Sequence, residues 1–294
     1  MICKITKEKI KPFMSFGKMP IANGFLKKNE FKKEFFFNLE VGFSNKLSLF
    51  QINDHPKPEQ MFNKNYPFFT GSSSGMVKHF EEYSNWIKKY YGKNLKQLIE
   101  IGSNDGTFLK NFDKKKIKVI GFEPSSNVAN ISKKKGIKTI NSFFNYNSVK
   151  KFRSLQKKIN VISAANVICH VPDLKNLIKA VDFLLSKNGF FIFEEPYLGS
   201  MYKKVSYDQI YDEHIYIFSV SSVNKIFKNS DFELIDAIPQ STHGGSMRYV
   251  ISRKGVNKIK NRVKKLLNKE KARNIDSFKG CIKFKKNCEK SKRR

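Results

Sequence analysis

The sequence predicts an α/β protein built on a doubly wound, Rossmann-like sheet. A small N-terminal module precedes the sheet and a basic helical tail follows it. Three observations lead there. From Lys96 to about Ser252, apolar runs of strand length alternate with stretches of helical spacing. The first run, Leu98-Ile99-Glu100-Ile101, breaks at once into the glycine turn Gly102-Ser103-Asn104-Asp105-Gly106. The second, Lys118 to Phe122, ends on the carboxylate Glu123.

Residues 1–60 are irregular, with short apolar stretches at Phe35-Phe36-Phe37 and Val41-Gly42-Phe43, and read as a module of strands and loops. A turn-rich loop through Tyr66-Pro67 to Gly71-Ser72-Ser73-Ser74-Gly75 leads into a helix at about Met76–Tyr91, with the serines available as caps. After the first strand, Phe108-Leu109-Phe112 has helical spacing. Past the second strand come a helix at about 125–135, a short strand at 138–140 and a helix at about 149–157. A fourth strand at 160–165, a helix at 174–185 and a fifth strand at 189–194 follow. Two further runs, Phe232–Ala237 and Met247–Ser252, lack a helix between them and are expected to pair antiparallel. Residues 258–294 read as a charged amphipathic helix or tail. The expected divisions are 1–70, 71–255 and 256–294, the last a basic helical tail or the start of a C-terminal domain.

A strand, a glycine turn and a helix bring backbone N–H groups close to a nucleotide-like ligand. The three-glycine dinucleotide fingerprint is absent. Instead Glu100 precedes Gly102, and Gly106 closes the turn, a pattern closer to the E-x-G-x-x-x-G turn of S-adenosylmethionine enzymes. Glu123 stands about 20 residues past the turn, where such folds bind ribose hydroxyls, and a carboxylate accepts two hydrogen bonds at once.

Composition sets bounds. The chain is 40% hydrophobic, enough for a core, and no apolar stretch approaches the roughly 18 residues of a membrane helix. Met1-Ile2-Cys3-Lys4 leads into lysine-rich sequence without an apolar core, so no leader, no membrane partner and a cytoplasmic location are expected. The net charge of +32 comes from lysines spread along the chain, which reads as a solvated coat rather than a nucleic-acid stripe. Such a potential would still draw in an anionic substrate. The four cysteines form no C-x-x-C pair, so neither a zinc cage nor a disulfide framework is expected.

In an open parallel sheet the ligand lies at the carboxyl ends of the strands. The loops expected there carry His170, Glu194-Glu195-Pro196-Tyr197, Tyr211-Asp212-Glu213-His214 and His243-Gly244-Gly245 with Arg248. Three of the five histidines thus fall on loops at one rim, beside Tyr211 and Glu213, which points to proton chemistry. With no H-x-x-x-H spacing they do not read as metal ligands, and the glycines beside His243 suggest close backbone approach to a ligand.

At these residues the sequence resembles the sugar C-methyltransferases that act on nucleotide-activated 4-keto-deoxy sugars. The matching blocks are Tyr66-Pro67, Gly71-Ser72-Ser73 with His79-Phe80, Glu100 to Gly106, and Gly121 to Ser126. Further on are Ala165-Asn166, His170 to Asp173, Phe193 to Leu198, Tyr211 to His214 with Phe218-Ser219, and His243 to Ser246 with Arg248. The resemblance implies the class I methyltransferase fold and S-adenosylmethionine as cofactor, with Glu100, Gly102, Asn104, Gly106, Glu123, Pro124, Ala165 and Asn166 as its contacts and Phe144 as an adenine neighbour. It implies that His214 is the base that removes the C3 proton, with Tyr211 and Glu213 beside it. His170 and Tyr66 would position the sugar and stabilise the enolate. Tyr197, His243, Gly244, Gly245 and Arg248 would contact the nucleotide-diphosphate sugar.

Two departures stand out. The family carries an N-terminal zinc module of two C-x-x-C pairs; here these read Cys3-Lys4-Ile5-Thr6 and Ser44-Asn45-Lys46-Leu47, so no zinc is expected, and aromatic packing around Phe35 to Phe50 is expected to hold the module instead. Family members also continue into a further α/β domain, so a partner supplying that surface is one expectation. An O- or N-methyltransferase of the same fold, and an inactive remnant, remain as alternatives.

Overall fold

The apolar runs become strands where the sequence placed them. The structure is a computed structural model describing residues 1–293; Arg294, the last residue of the expected tail, lies outside the described residues. In chain order the strands are β1 (Pro12–Pro20), β2 (Phe36–Ser44), β3 (Leu49–Ile52), β4 (Gln97–Ile101), β5 (Lys118–Phe122) and β6 (Thr139–Ile140). There follow β7 (Ile159–Ala165), β8 (Leu185–Pro196), β9 (Tyr216–Ile217), β10 (Phe232–Gln240) and β11 (Ser246–Arg253). The main helices are α1 (Ser74–Tyr91), α2 (Ser126–Lys134), α3 (Leu174–Leu184), α4 (Leu198–Lys204), α5 (Val220–Lys228), α6 (Asn261–Ala272) and α7 (Phe278–Lys292). Among the described residues no helix is long and apolar enough to cross a membrane.

The chain divides into two compact units. One comprises Phe62–Val167 and Lys175–Ile192; the other comprises Met1–Met61, Ile168–Leu174 and the chain from Phe193 on.

In the unit of Phe62–Val167 and Lys175–Ile192 the strands run β6-β5-β4-β7-β8, with β4 parallel to β5 and β7, and β5 parallel to β6. Leu98, Ile99, Ile101, Val161, Ile162 and Ala164 are all buried, as strands covered on both faces require. Each such Leu, Ile or Val contributes about 1.5–3 kcal/mol of burial. Helix α1 starts where a serine can cap it: Ser73 Oγ accepts from Met76 N–H.

Two expected helices do not form. Beyond Gly106 there is only a single 3-10 turn, Leu109–Asn111, because Asn111 donates its side-chain amide back to the Thr107 and Phe108 carbonyls and so competes with helix propagation. The helix expected at 149–157 is replaced by one turn, Tyr146–Val149, and a 3-10 turn, Arg153–Leu155. Asn145 and Ser148 cap each other reciprocally and start the helix earlier than the apolar spacing suggested.

In the other unit, β1-β2-β3-β9 form an antiparallel sheet. The expected hairpin is present: β10 and β11 pair antiparallel. Phe37, Phe43 and Phe50 pack the module, with Phe13 edge-on to Phe50 at 5.5 Å. Phe35 and Phe36, expected in that packing, are exposed. The two degenerate C-x-x-C turns close alike: Thr6 N–H donates to Cys3 Sγ, and Leu47 N–H donates to Ser44 Oγ.

The tail is two helices rather than a loose extension. Val263 and Glu270 of α6 and Cys281, Phe284 and Cys288 of α7 are buried. Glu270 accepts from Val220 N–H, Ser221 N–H and Ser221 Oγ–H at 2.6–2.8 Å, so a tail residue satisfies the orphan donors at the start of α5.

Candidate active site

The glycine turn belongs to the unit of β4–β7. Gly102 has φ +65°, and a Cβ there would lie 2.4 Å from Val167 Cγ2, so only glycine fits. Gly106 N–H donates to the Ser103 carbonyl and closes the turn. Glu123 holds it from the next strand: its Oε2 accepts from Asn104 N–H at 2.9 Å and its Oε1 from Ser125 N–H at 2.8 Å. Burial raises the Glu123 pKa above the ordinary carboxylate value, and these backbone donors oppose the rise. Each oxygen keeps a second lone pair for a ribose hydroxyl.

Asn104, expected to touch cofactor, organises the turn. Its Nδ2 donates to the Phe68 carbonyl and its Oδ1 accepts from Thr70 N–H, which straps the segment ahead of α1 onto the turn. Asp105 Oδ2 accepts from Gly71 N–H at 3.1 Å and pairs with Lys135 at 3.1 Å. Burial alone would raise its pKa, but the hydrogen bonds from Thr107 and Lys135 and the lysine charge hold it below the usual range. Sequence reasoning missed this strap because its partners lie 34–36 residues apart. Pro124 and Ala165 sit half-buried beside the turn. Phe144 is buried edge-on against Phe122 at 5.1 Å. Tyr66 is half-buried in this unit, its carbonyl accepting from Asn127 Nδ2 at 2.7 Å.

Three buried atoms around the turn have no hydrogen-bond partner: Glu100 Oε2, Ser103 Oγ and Asn166 Oδ1. Burial, then the nearby Glu123 and Asp105, push the Glu100 pKa well up. Orphaned acceptors beside a glycine that tolerates no Cβ suit a ligand rich in donors, one with an ammonium group and ribose hydroxyls. S-adenosylmethionine has both, and the residues fit it.

The other unit gathers the proton-handling side chains. His170 and His214 stack, ring centroids 5.4 Å apart and planes 17° from parallel. His214 Nδ1–H donates to the Gln209 carbonyl at 2.8 Å, which leaves Nε2 as acceptor, and Tyr211 O–H meets it at 3.2 Å. His170 Nδ1–H likewise donates to the Glu213 carbonyl at 2.6 Å. His214 is buried, and burial first, then the His170 charge, lower its pKa to about 3. It is therefore a neutral imidazole at physiological pH. Cys169 Sγ lies with the two rings within 4.8 Å, but near-parallel rings direct their lone pairs side by side rather than onto one ion.

Glu213 is buried, with its Oε1 accepting from Asn23 Nδ2 at 2.6 Å. Neighbouring Asp212 accepts from Ala22 N–H at 3.1 Å. Glu195 Oε1 accepts from Ile168 N–H at 2.6 Å and fixes the turn that carries His170. Nothing local in the sequence marks Asn23; Ile21-Ala22-Asn23-Gly24 reads only as a turn.

The expected substrate contacts divide. Arg248 is buried and pairs with Glu194 at 2.6 Å, so its charge is used inside the unit. The Tyr197 hydroxyl donates to Glu270 at 2.8 Å. At Gly245, with φ +121°, the close approach is to Ser200 of α4, 2.5 Å from where a Cβ would sit, rather than to open space. Gly244 faces open space, and His243, φ +51°, lies near enough to His214 to lower its pKa slightly.

Known proteins bear on these observations. The family described as "Methyltransferase domain" matches residues 77–237, a zinc-binding-domain family matches 3–62, and "C-methyltransferase C-terminal domain" matches 241–294. The last of these matches covers the stretch expected as a basic tail or as the start of a C-terminal domain. C-methyltransferase NovU of Streptomyces niveus is 25% identical over 236 residues, covering 80% of this chain and 56% of its own. The chain therefore spans little more than half the length of that relative. The PH0226 protein of Pyrococcus horikoshii OT3 superposes with a TM-score of 0.51 at 14% identity, over 64% of this chain and 95% of its own, a likeness of fold. The fold is that of the class I methyltransferases, and the chain belongs to the S-adenosylmethionine-dependent methyltransferase family.

Proposed function

We propose that the protein is a C-methyltransferase that removes a proton from C3 of a nucleotide-linked 4-keto-deoxy sugar and methylates that carbon. The observation that carries this reading is the stacked His170–His214 pair with Tyr211 on His214 Nε2 and the Glu213 carbonyl on His170 Nδ1. A carbon next to a carbonyl becomes a nucleophile only when a base takes its proton, and the cluster is built from groups that move protons. S-adenosylmethionine, when held by Glu100, Gly102, Gly106, Glu123 and Asn166, supplies a methyl group on a sulfonium.

The chain's own residues do the rest. The Tyr211–His214 pair takes the C3 proton, which comes to rest on Nε2 while Nδ1–H stays fixed on the Gln209 carbonyl. The imidazolium so formed is buried and would be costly alone; the negative enolate created in the same step offsets it. His170, held by its hydrogen bond to the Glu213 carbonyl, positions the sugar. His243 and Gly244 line the substrate path.

The test is solvent deuterium entry at C3 across a panel of nucleotide 4-keto-deoxy sugars. Exchange that disappears in His214→Asn supports the reading; undiminished exchange removes His214 from it. A second reading has one observation in its favour. A histidine with a pKa near 3 is a weak base, better matched to the proton of an acidic O–H or N–H group. Methyl transfer without any exchange at carbon would favour that O- or N-methyltransferase.

A further inference from the structure

We infer that Asn23 is a positioning residue for the catalytic loop: its side-chain amide holds the Glu213 carboxylate in place, so the N-terminal module takes part in the chemistry. The inference rests on the role given above to the His170–Glu213–His214 cluster.

The segment that leaves β1 at Pro20 makes two adjacent contacts with the catalytic loop. Ala22 N–H donates to Asp212 Oδ1 at 3.1 Å, and Asn23 Nδ2–H donates to Glu213 Oε1 at 2.6 Å. The residues joined lie 190 positions apart. Asp212 is 1% exposed and Glu213 3%, so two neighbouring acids are buried side by side. The titratable groups facing Glu213 are Asp212, the buried Cys169 thiol and His170, whose ring stacks on His214.

Two like charges in so dry a place favour uptake of a proton. Burial raises the Glu213 pKa, and the Asn23 amide acts against that rise. An amide nitrogen can only donate, so the contact favours the ionised, acceptor-only carboxylate. Its direction matters as well as its charge. The same residue that offers its carboxylate to Asn23 offers its backbone carbonyl to His170 Nδ1–H, so fixing Glu213 fixes the tautomer and tilt of His170.

Two readouts on the full chain test this. In protein labelled at the glutamate carboxyl carbon, the Glu213 signal, assigned by its loss in Glu213→Gln, should titrate at higher pH in Asn23→Ala. It should titrate higher still in the isosteric Asn23→Asp, which keeps the bulk if the alanine variant folds poorly. With a keto-sugar substrate, Asn23→Ala should lower kcat by about tenfold or more, the loss of one charge-assisted hydrogen bond. KM for S-adenosylmethionine should stay unchanged, and the acidic limb of the rate profile should move to higher pH. A Glu213 titration that does not move in either variant overturns the inference. Wild-type protein that exchanges no carbon-bound proton in any keto sugar sinks the proposed function instead, and the titration then judges Asn23 by itself.

Discussion

Glu123 and Glu213 are both buried acids, yet they are satisfied in different ways. Glu123 accepts from two backbone N–H groups, one 19 residues away and one 2 residues away. Glu213 accepts from a side chain 190 residues away. Backbone donors survive any side-chain exchange, so the glycine turn needs only glycines and one acid in the right order. The histidine cluster depends on particular side chains from distant segments. A cofactor site shared by many chemistries can be built the first way, whereas a site for one reaction is built the second way.

This contrast can be broken at several points. The largest effect is expected at the cluster: His214→Asn should cut turnover by about 10²–10⁴, the usual worth of a general base. Calorimetry with S-adenosylhomocysteine should find its affinity within about threefold of wild type, since no atom of the glycine turn is changed. Equal losses in both would join the two regions that the contrast separates.

Glu270→Ala comes next. It leaves the Val220 and Ser221 N–H groups and the Ser221 and Tyr197 hydroxyls without their acceptor. Removing one member of so buried a network costs about 3–5 kcal/mol. Denaturant unfolding should report that loss, and Glu270→Gln, which keeps one acceptor oxygen, should recover part of it. A negligible loss would mean that long-range side-chain acceptors matter less here than the contrast holds.

Gly102→Ala mirrors His214→Asn. A left-handed φ costs a side chain about 1–2 kcal/mol, and the Cβ would sit 2.4 Å from Val167 Cγ2, so S-adenosylhomocysteine affinity should drop by tenfold or more. Deuterium entry at the sugar carbon should persist, because the histidines are untouched.

The smallest effect is on pH-dependent stability, and here too the regions differ. His214 has an ordinary value of 6.5 and a folded value of about 3. Between these the unfolded chain takes up a proton that the folded chain refuses, so stability falls as pH drops from 6.5 to 3, by at most about 1.4 kcal/mol per pH unit. Glu213 acts in the opposite sense: its folded pKa lies above 4.5, so its contribution is present at low pH and fades as pH rises through that raised value. Melting temperature against pH should be flatter on the acid side in His214→Asn than in wild type. Parallel curves would deny His214 its buried, neutral state.

Legibility in the sequence followed the same division. The strands of the parallel sheet were readable because each is a local run of Leu, Ile, Val and Phe bounded by glycine or a polar turn, as at Leu98–Gly102 and Val161–Asn166. The turn between Gly102 and Gly106, and Glu123 after it, were readable for the same reason. The helix expected after Gly106 failed because Asn111 turns its amide back on the chain, a choice between two local hydrogen bonds that apolar spacing does not register. His170, Tyr211, Glu213 and His214 were identified by type and loop position, and they do meet. The sequence did not foretell that Arg248 would be taken by Glu194, Tyr197 by Glu270, or Glu213 by Asn23.

By itself, then, the chain's order of residues determined its sheet, its glycine turn and the residue types of its chemistry, because periodicity, turn residues and strand-end acids act over a few neighbours. Tertiary structure alone decided which nitrogen of His170 holds its hydrogen, which acid Asn23 holds in place, and that Arg248 and Tyr197 pair off inside the fold. Those outcomes depend on burial and on hydrogen-bond partners brought from 43 to 190 residues away, and no window along the sequence contains them.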